Sequence, residues 1–363
     1  MDISLTMTRN CNLRCSYCYA GEKLNVTISK NVIDKTLEFL LREENNYIQL
    51  GFFGGEPLLE FPLIQYATER FENACREKQI TLVKTITTNG TLINHEIARW
   101  LAEHDFHLAV SVDGHQKMHD QVRRYSQGDS SWEDSLKGLE LIKESANDLE
   151  IITVVSPANV DYLAEGVIWL LENSGVNQVT INPDFYSKWT DDKLFRLKEE
   201  YAKLGAYYLN AFRNNKYLGL NIFENKIITH LKNGYEECDK CGFGLNEIAV
   251  SPEGQIFPCE RLVGANDKTM CIGDVFQGFN LEKRNKILAR RGKLALVECH
   301  DCVSRHRCVN WCHCINYGIT GNMNKVNATL CFHEKTIIEI SDQIGETLFK
   351  EKNSLFISHF YLE

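Results

Sequence analysis

Cysteine is the residue from which this 363-residue chain can be read, because it carries fourteen of them and spaces most of them closely. Three fall within the eight residues Cys11-Asn12-Leu13-Arg14-Cys15-Ser16-Tyr17-Cys18, spaced C-x3-C-x2-C. Iron–sulfur clusters are held by Cys thiolates, and a 4Fe–4S cube has four irons to ligate. Three local thiolates therefore leave one iron open to a small molecule. A closed structural zinc site needs four ligands, and no His or fourth Cys lies nearby. The cysteines return late in the chain. Cys241 is followed after twelve residues by Gly254 and after four more by Cys259. Then come Cys299-x2-Cys302-x5-Cys308-x3-Cys312 and finally Cys331. A zinc ribbon would satisfy the C-x2-C pair but not the seven-residue register.

Composition limits the partners. Apolar residues make up 44% and charged residues 25% of the chain, and the formal net charge is −9. With no Lys/Arg block, nucleic acid is not an expected partner. No apolar run is long enough for a signal peptide or a membrane span, so neither secretion nor a membrane is expected. Cysteines clustered at short spacing in a large chain without a signal read as metal ligands rather than disulfides, which implies a reducing cytoplasm. The length suffices for one large α/β domain and a smaller one.

The elements that must position these thiols alternate in type. Strands are predicted near Ile3–Met7, Ile48–Phe53, Val83–Thr87, His107–Val112, Leu149–Val155 and Gln178–Asn182. Helical patterns run from Ser29, as an N-cap, to Glu44, and over Phe61–Lys78, Asn94–Glu103, Trp132–Glu144 and Val160–Asn173. Six βα units imply a parallel sheet with helices outside it, curved into a full or partial barrel. Chemistry in such barrels sits at the C-terminal strand ends, where the first cysteine loop falls. A long Tyr-rich helix follows from Thr190 to about Arg213, with Tyr207, Tyr208 and Phe212 as packing residues. A looser bridge then runs to about Glu237. Glu247–Val250 and Gln255–Pro258 read as a hairpin turning at Pro252–Gly254, which would present Cys259. A last helix is expected over Glu334–Lys352, and Cys75 is expected to be a buried small hydrophobe.

Other strand ends carry polar motifs. Gly54-Gly55-Glu56-Pro57 follows the second strand, where paired glycines permit close backbone approach and the Glu supplies an acceptor. Thr87-Thr88-Asn89-Gly90 is a turn signal after the third. Ser111-Val112-Asp113-Gly114 ends the fourth, and Arg123 and Arg124 follow.

Taken together, the C-x3-C-x2-C loop, its flanking Tyr19 and the motifs downstream resemble the radical S-adenosylmethionine enzymes. The late cysteines match the SPASM extension of that family. The resemblance implies an α/β fold: a partial (β/α)6 TIM-type barrel over 1–215, a bridge over 216–237, a cysteine-rich SPASM domain over 238–332 and a C-terminal helix over 333–363. It implies S-adenosylmethionine as cofactor and three 4Fe–4S clusters. Cys11, Cys15 and Cys18 would hold the first, on whose open iron S-adenosylmethionine is chelated. Cys238, Cys241, Cys259 and Cys312 would hold one auxiliary cluster, and Cys299, Cys302, Cys308 and Cys331 the other. Cys238 completes the first auxiliary set by resemblance alone, with Cys271 or Cys314 as substitutes. Tyr17, Gly54, Gly55, Glu56, Pro57, Ser111, Asp113 and Arg123 would contact S-adenosylmethionine, Glu56 at its amino group and Arg123 or its neighbour Arg124 at its carboxylate.

The chemistry so implied is reductive cleavage of S-adenosylmethionine to a 5′-deoxyadenosyl radical, which takes hydrogen from an unactivated carbon. A second electron then leaves through the auxiliary clusters. Such an oxidation needs a base. Sulfatase-maturing members carry an aspartate directly after the Cys259 position, and Glu260 stands there in this chain, with pairing to Arg261 as its structural alternative. His300, His306 and His313 read as structural. Only ten residues precede Cys11, so no fused peptide-recognition domain is expected ahead of it. The leading expectation is a ribosomal-peptide maturase forming an oxidative crosslink (C–C, C–O or thioether). Its partners would be a precursor peptide, a flavodoxin- or ferredoxin-type electron donor and a separate leader-recognition protein. A sulfatase maturase making formylglycine is the alternative, and a non-catalytic iron–sulfur electron carrier a more distant one.

Overall fold

A computed structural model describes residues 1–361 apart from 44, 145, 147, 265 and 266. The expected helix end at Glu44 and the last two residues of the 333–363 segment lie outside these. In chain order the elements are β1 Asp2–Thr8, α1 Lys30–Arg42, β2 Tyr47–Gly54, α2 Phe61–Lys78, β3 Thr81–Thr88, α3 His95–Glu103, β4 Phe106–Ser111 and the short α4 Gln116–His119. There follow α5 Trp132–Lys143, β5 Asp148–Val155, α6 Leu163–Asn173, β6 Gln178–Pro183, α7 Asp191–Arg213, β7 Gly219–Leu220 and α8 Asn221–Leu231. The remainder holds β8 Glu247–Val250, β9 Gln255–Phe257, β10 Gly273–Asp274, β11 Gly278–Phe279, α9 Leu281–Leu288, α10 Val297–His300, α11 His313–Thr320, α12 Ala328–Lys350 and α13 Ser354–Phe360.

These elements gather into two compact units. The first comprises Met1–Ser111, Tyr125–Leu149 and Cys241–Arg291; the second comprises Val112–Arg124, Glu150–Lys240 and Gly292–Glu363. In the first unit the strands follow the order β11-β10-β9-β8-β1-β2-β3-β4. The pairs β8–β1, β1–β2, β2–β3 and β3–β4 are parallel, whereas β8–β9, β9–β10 and β10–β11 are antiparallel. Strands of a parallel sheet are buried on both faces and lose strict alternation. Accordingly Leu50, Gly51 and Phe52 are buried in succession on β2. The predicted cap holds: Ser29 takes the N-cap of α1 and accepts from Val32 N at 3.2 Å, while Val32, Ile33, Thr36, Leu37 and Leu40 turn a buried stripe inward.

In the second unit β5, β6 and β7 pair in parallel, and α12 packs along α7 and α8. Tyr201, Tyr208, Phe212 and Phe223 are wholly buried there, which matches the packing role expected of Tyr208 and Phe212. Gly205 allows the approach of α7 to α12, since a Cβ there would lie 2.8 Å from Ile340 Cγ2.

Two expectations need correcting. The stretch read as a loose bridge contains α8. Its start lacks a capping side chain, and its inward stripe includes Lys226, so neither helix signal was present in the pattern. The last helix begins at Ala328 rather than Glu334, capped by Asn327, whose side chain accepts from Leu330 N at 2.6 Å. Cys331 and Glu334 therefore share its first turns, and a further helix, α13, follows.

Candidate active site and cluster-ligand residues

The cysteine loop leaves the C-terminal end of β1, and its placement depends on the two glycines that close β2. Gly55 N donates to Thr8 O at 2.8 Å, and Glu56 N donates to Asn10 O at 2.9 Å. A Cβ on Gly54 would lie 2.4 Å from Thr8 O, and one on Gly55 would lie 1.9 Å from Asn10 O. Gly54 also sits at φ +142°, where glycine alone is comfortable. The close approach expected of this pair is thus made to the chain's own loop backbone.

That loop holds Cys11, Cys15 and Cys18, each half-buried. Leu13 N donates to Cys11 Sγ at 3.4 Å, and the Lys23 ammonium donates to Cys18 Sγ at 2.8 Å. Burial pushes the Cys11 thiol up, with Glu56 adding to the effect, while the Leu13 amide and Lys23 oppose it. A bound cation reverses that balance by deprotonating its thiol ligands. Three thiols on one loop, met by N–H donors of the kind that stabilise cluster sulfurs, are a donor set that fits an iron–sulfur cluster.

Glu56 connects two motifs that are separate in the chain. It is 1% exposed. Its Oε1 accepts from Leu58 N at 3.0 Å and from the Thr88 hydroxyl at 2.7 Å, and its Oε2 accepts from Asn89 N at 2.8 Å. The Asn89 amide group donates to Asn12 Oδ1 at 2.9 Å, and Asn12 in turn donates to the Thr91 hydroxyl at 2.7 Å. One polar network therefore runs from the end of β2, through the end of β3, to the cysteine loop. Pro57 follows as a buried residue of the short turn that Glu56 caps. Tyr17 is half-buried within the loop, and Ser111 is buried at the end of β4.

The hairpin of β8 and β9 joins the same unit through its parallel pairing with β1, which sets Asp2 opposite Glu247 and Leu5 opposite Val250. Beyond β9, Cys259 is buried and Glu260 opens a short helical turn, Glu260–Leu262. That turn is locked against the tail of the cysteine loop. A Cβ on Gly264 would lie 2.3 Å from Ala20 O, and one on Gly21 would lie 2.4 Å from Gly264 O. The Arg261 guanidinium lies 4.6 Å from the centre of the Tyr19 ring, a cation–π contact. Tyr19, Gly54, Gly55 and Glu260 consequently line one pocket, along with Thr8 and Arg9. Burial, then the Glu260 charge, pushes the Tyr19 hydroxyl up.

Cys241 and Cys259 face carboxylates in this unit. Cys241 Sγ lies 2.9 Å from Glu247 Oε2, and Cys259 Sγ lies 3.5 Å from Glu260 Oε2. Glu247, Cys259 and Glu260 each bring a possible ligand atom within 4.8 Å of the others. Burial raises the Glu247 carboxyl, and the Cys241 contact opposes it. Cys271 is half-buried and donates to Gly273 O at 3.3 Å.

The second unit carries the remaining candidates. Asp113 is fully buried; its Oδ1 accepts from Val154 N at 2.8 Å, and its Oδ2 lies 3.6 Å from Arg123 Nε. Arg123 is buried, whereas Arg124 is exposed and donates to Asp120 O at 2.7 Å. Burial thus distinguishes the two adjacent arginines. His119 Nδ1 accepts from Asp113 N at 3.3 Å. Burial, reinforced by both arginines, holds this imidazole well below its usual range and keeps it neutral.

Cys299 lies in α10, Cys302 just beyond it, Cys308 after the turn Arg305–Arg307, and Cys331 on α12. Burial pushes the Cys299 thiol up, with Cys331 and Cys302 near enough to add to the shift; Cys331 likewise acts on Cys308. Four thiols converging from sites up to thirty-two residues apart in sequence are a donor set that fits a cluster. Cys312 stands at the N-cap position of α11 without a side-chain capping bond, its Sγ 3.8 Å from Cys314 Sγ. Cys238 is exposed, 3.7 Å from Glu236 Oε2. His313 is buried against Met323 O and His300 meets Leu294 O, while Cys75 is buried in α2. The sequence reading missed Glu247, Lys226 and Glu334. Only a buried charge inside an apolar stripe marks Lys226, and burial is not legible in a sequence.

Comparison with known proteins gives these sites a family. The model of the radical SAM superfamily matches residues 5–170. An uncharacterized protein of Methanocaldococcus jannaschii is 30% identical over 306 residues, which is 83% of this chain and 94% of that one. The radical SAM cyclopropyl synthase TigE of Paramaledivibacter caminithermalis is 26% identical, over 72% of this chain and 58% of its own length. A cysteine-type anaerobic sulfatase-maturating enzyme of Clostridium novyi is 22% identical, over 70% of this chain and 71% of its own. Among solved structures, native anSMEcpe with bound AdoMet has a TM-score of 0.82 at 18% identity, over 96% of this chain and 99% of that one. Streptococcus suis SuiB bound to precursor peptide SuiA has a TM-score of 0.60 at 16% identity, over 91% and 75%.

The chain belongs to the radical SAM superfamily. It is an S-adenosylmethionine-dependent iron–sulfur enzyme with the α/β fold of the radical SAM/SPASM proteins. Among the described residues, no helix is long and apolar enough to cross a membrane.

Proposed function

We propose that this enzyme oxidises a ribosomally made peptide, forming a crosslink at an unactivated carbon. The observation that carries the reading is the pocket shared by Glu260, Gly54, Gly55 and Tyr19, with Cys259 directly behind Glu260. When bound, S-adenosylmethionine and its cluster supply a carbon radical that removes one hydrogen from the substrate. The chain must supply the rest. Cys11, Cys15 and Cys18 hold the cluster, and Gly54–Pro57 border the cofactor. Cys299, Cys302, Cys308 and Cys331 hold an auxiliary cluster, while Cys241 and Cys259 contribute to another. Glu260 takes the substrate proton as the second electron leaves, a role that requires a carboxylate within reach of the reacting carbon. SuiB is solved with a precursor peptide, which supports a peptide substrate, and TigE is by name a radical SAM cyclopropyl synthase, which supports bond formation at carbon.

A second reading is supported by the likeness to anSMEcpe along nearly the whole of both chains and by the Clostridium novyi relative: oxidation of a sulfatase Cys or Ser to formylglycine. Glu260, at the position where the resemblance to sulfatase maturases implies an aspartate, favours the first. The test is anaerobic incubation of reconstituted enzyme with S-adenosylmethionine, dithionite and peptide, followed by mass spectrometry. Loss of two hydrogens with a new internal bond supports the crosslinking reading. An aldehyde on a sulfatase-derived peptide supports the second instead. Deoxyadenosine formed with no peptide altered from any candidate would overturn both.

A further inference from the structure

Helix α8 was not expected to carry chemistry, yet it buries a lysine. Lys226 and Glu334 are each 2% exposed, and Lys226 Nζ donates to Glu334 Oε2 at 2.8 Å. A buried ion pair rarely stabilises a fold more than well-packed apolar residues of the same size would, because two charges must be desolvated. Stability alone is therefore a weak account of it, and the remaining hydrogen bonds of the pair indicate a specific task.

Both act on the residues that flank Cys308. Lys226 Nζ also donates to Arg307 O at 2.9 Å, on one side of the cysteine. The same Glu334 Oε2 accepts from Val309 N at 2.8 Å, on the other. The Arg307 side chain closes the clamp: its guanidinium meets Asp342 through two bonds, at 2.8 and 2.6 Å, and donates to Lys226 O at 2.8 Å. Tyr235 accepts a third bond from Lys226 at 3.1 Å. On α12, Glu334 follows Cys331 by three residues, so the two project to adjacent positions on one face.

We infer that the Lys226–Glu334 pair is a positioning device for Cys308: it fixes the backbone on both sides of that thiol relative to Cys331, and its charges set the potential of the cluster that these thiols hold. Fixed dipoles and charges beside a cluster are among the means by which proteins tune its potential. The inference rests on the reading of Cys299, Cys302, Cys308 and Cys331 as ligands of one cluster.

The test uses the reconstituted full chain and reads iron content, electron paramagnetic resonance and midpoint potential, independently of turnover. Cys308→Ala checks the underlying reading and should remove about four irons; unchanged iron would reject that ligand set itself. Glu334→Gln is nearly isosteric, removes a negative charge and leaves Lys226 charged. Its cluster should be lost or should titrate at a more positive potential than in the wild type, and an unchanged potential at full iron content would overturn the inference. The paired change Lys226→Met with Glu334→Met restores apolar packing. It removes both charges but leaves Val309 N and Arg307 O without these partners, and it should bind fewer irons or show an altered spectrum whether or not the denaturant midpoint moves. Full iron with an unaltered spectrum and potential would reduce the pair to ordinary packing.

Discussion

The backbone amide of Asn89 donates to the carboxylate of Glu56 at 2.8 Å, although the two stand thirty-three residues apart in the chain. With the Thr88 hydroxyl on the other oxygen, this bond ties the end of β2 to the end of β3, beneath the loop that carries Cys11. Glu56→Gln turns an NH2 group toward one of those donors and leaves a buried donor without an acceptor. The expected cost is about 1–3 kcal/mol, read as a lower urea midpoint, together with weaker S-adenosylmethionine binding by calorimetry. Thr88→Val removes the hydroxyl that donates to this carboxylate and accepts from Gly90 N at 3.1 Å, and should cost about 1.5–3 kcal/mol. Wild-type midpoints for both would mean that the network is not formed in solution.

Gly55 should not tolerate a side chain. Its Cβ would stand 1.9 Å from Asn10 O, a backbone atom of the cysteine loop. Gly55→Ala must therefore displace that loop, and about four irons should be lost from the reconstituted protein. Gly345→Ala is the matched control. It lies within α12, meets nothing nearer than 3.9 Å and should keep full iron while gaining roughly 0.5–1 kcal/mol of stability.

Glu260 should separate cofactor cleavage from substrate oxidation. Glu260→Gln keeps the size of the side chain and removes the base, so deoxyadenosine should still form while modified peptide falls by about 10²–10⁴-fold. Glu260→Asp should restore part of the product. Comparing both products by liquid chromatography checks this, and parallel loss of the two would indicate that Glu260 serves the cofactor rather than the substrate.

Stability should fall on mild acidification because of His119. Its folded pKa lies well below the ordinary value, chiefly through burial, whereas the unfolded chain binds a proton near pH 6.5. Below that pH the unfolded state gains a proton that the folded state refuses, so stability declines as pH falls toward the folded value. The slope contributed by this residue is about 1.4 kcal/mol per pH unit. His119→Asn retains an acceptor for Asp113 N without this titration. Urea midpoints at pH 7.5 and 5.5 should then diverge less than in the wild type.

Much of this protein is written locally. C-x3-C-x2-C, Gly54–Pro57 and the late cysteine register are short-range patterns, and thiol spacing alone indicates iron–sulfur chemistry. The strands and capped helices of the βα units obey periodicity, so Phe61–Lys78 appears with the bounds that its pattern predicts. Long-range pairing is another matter. The register that sets Glu247 opposite Asp2 joins β8 to β1 across about 245 residues, and the placing of Glu260 beside Tyr19 follows from the crossing of Gly21 with Gly264. No residue in either segment encodes its partner. Lys226 shows the same limit: in a sequence a lysine within an apolar stripe is an interruption, and only the packing of α8 against α12 turns it into a buried charge with a task. Spacing determined which residues could bind metal, and tertiary structure decided what surrounds them, because burial and long-range contact are properties of the packed chain.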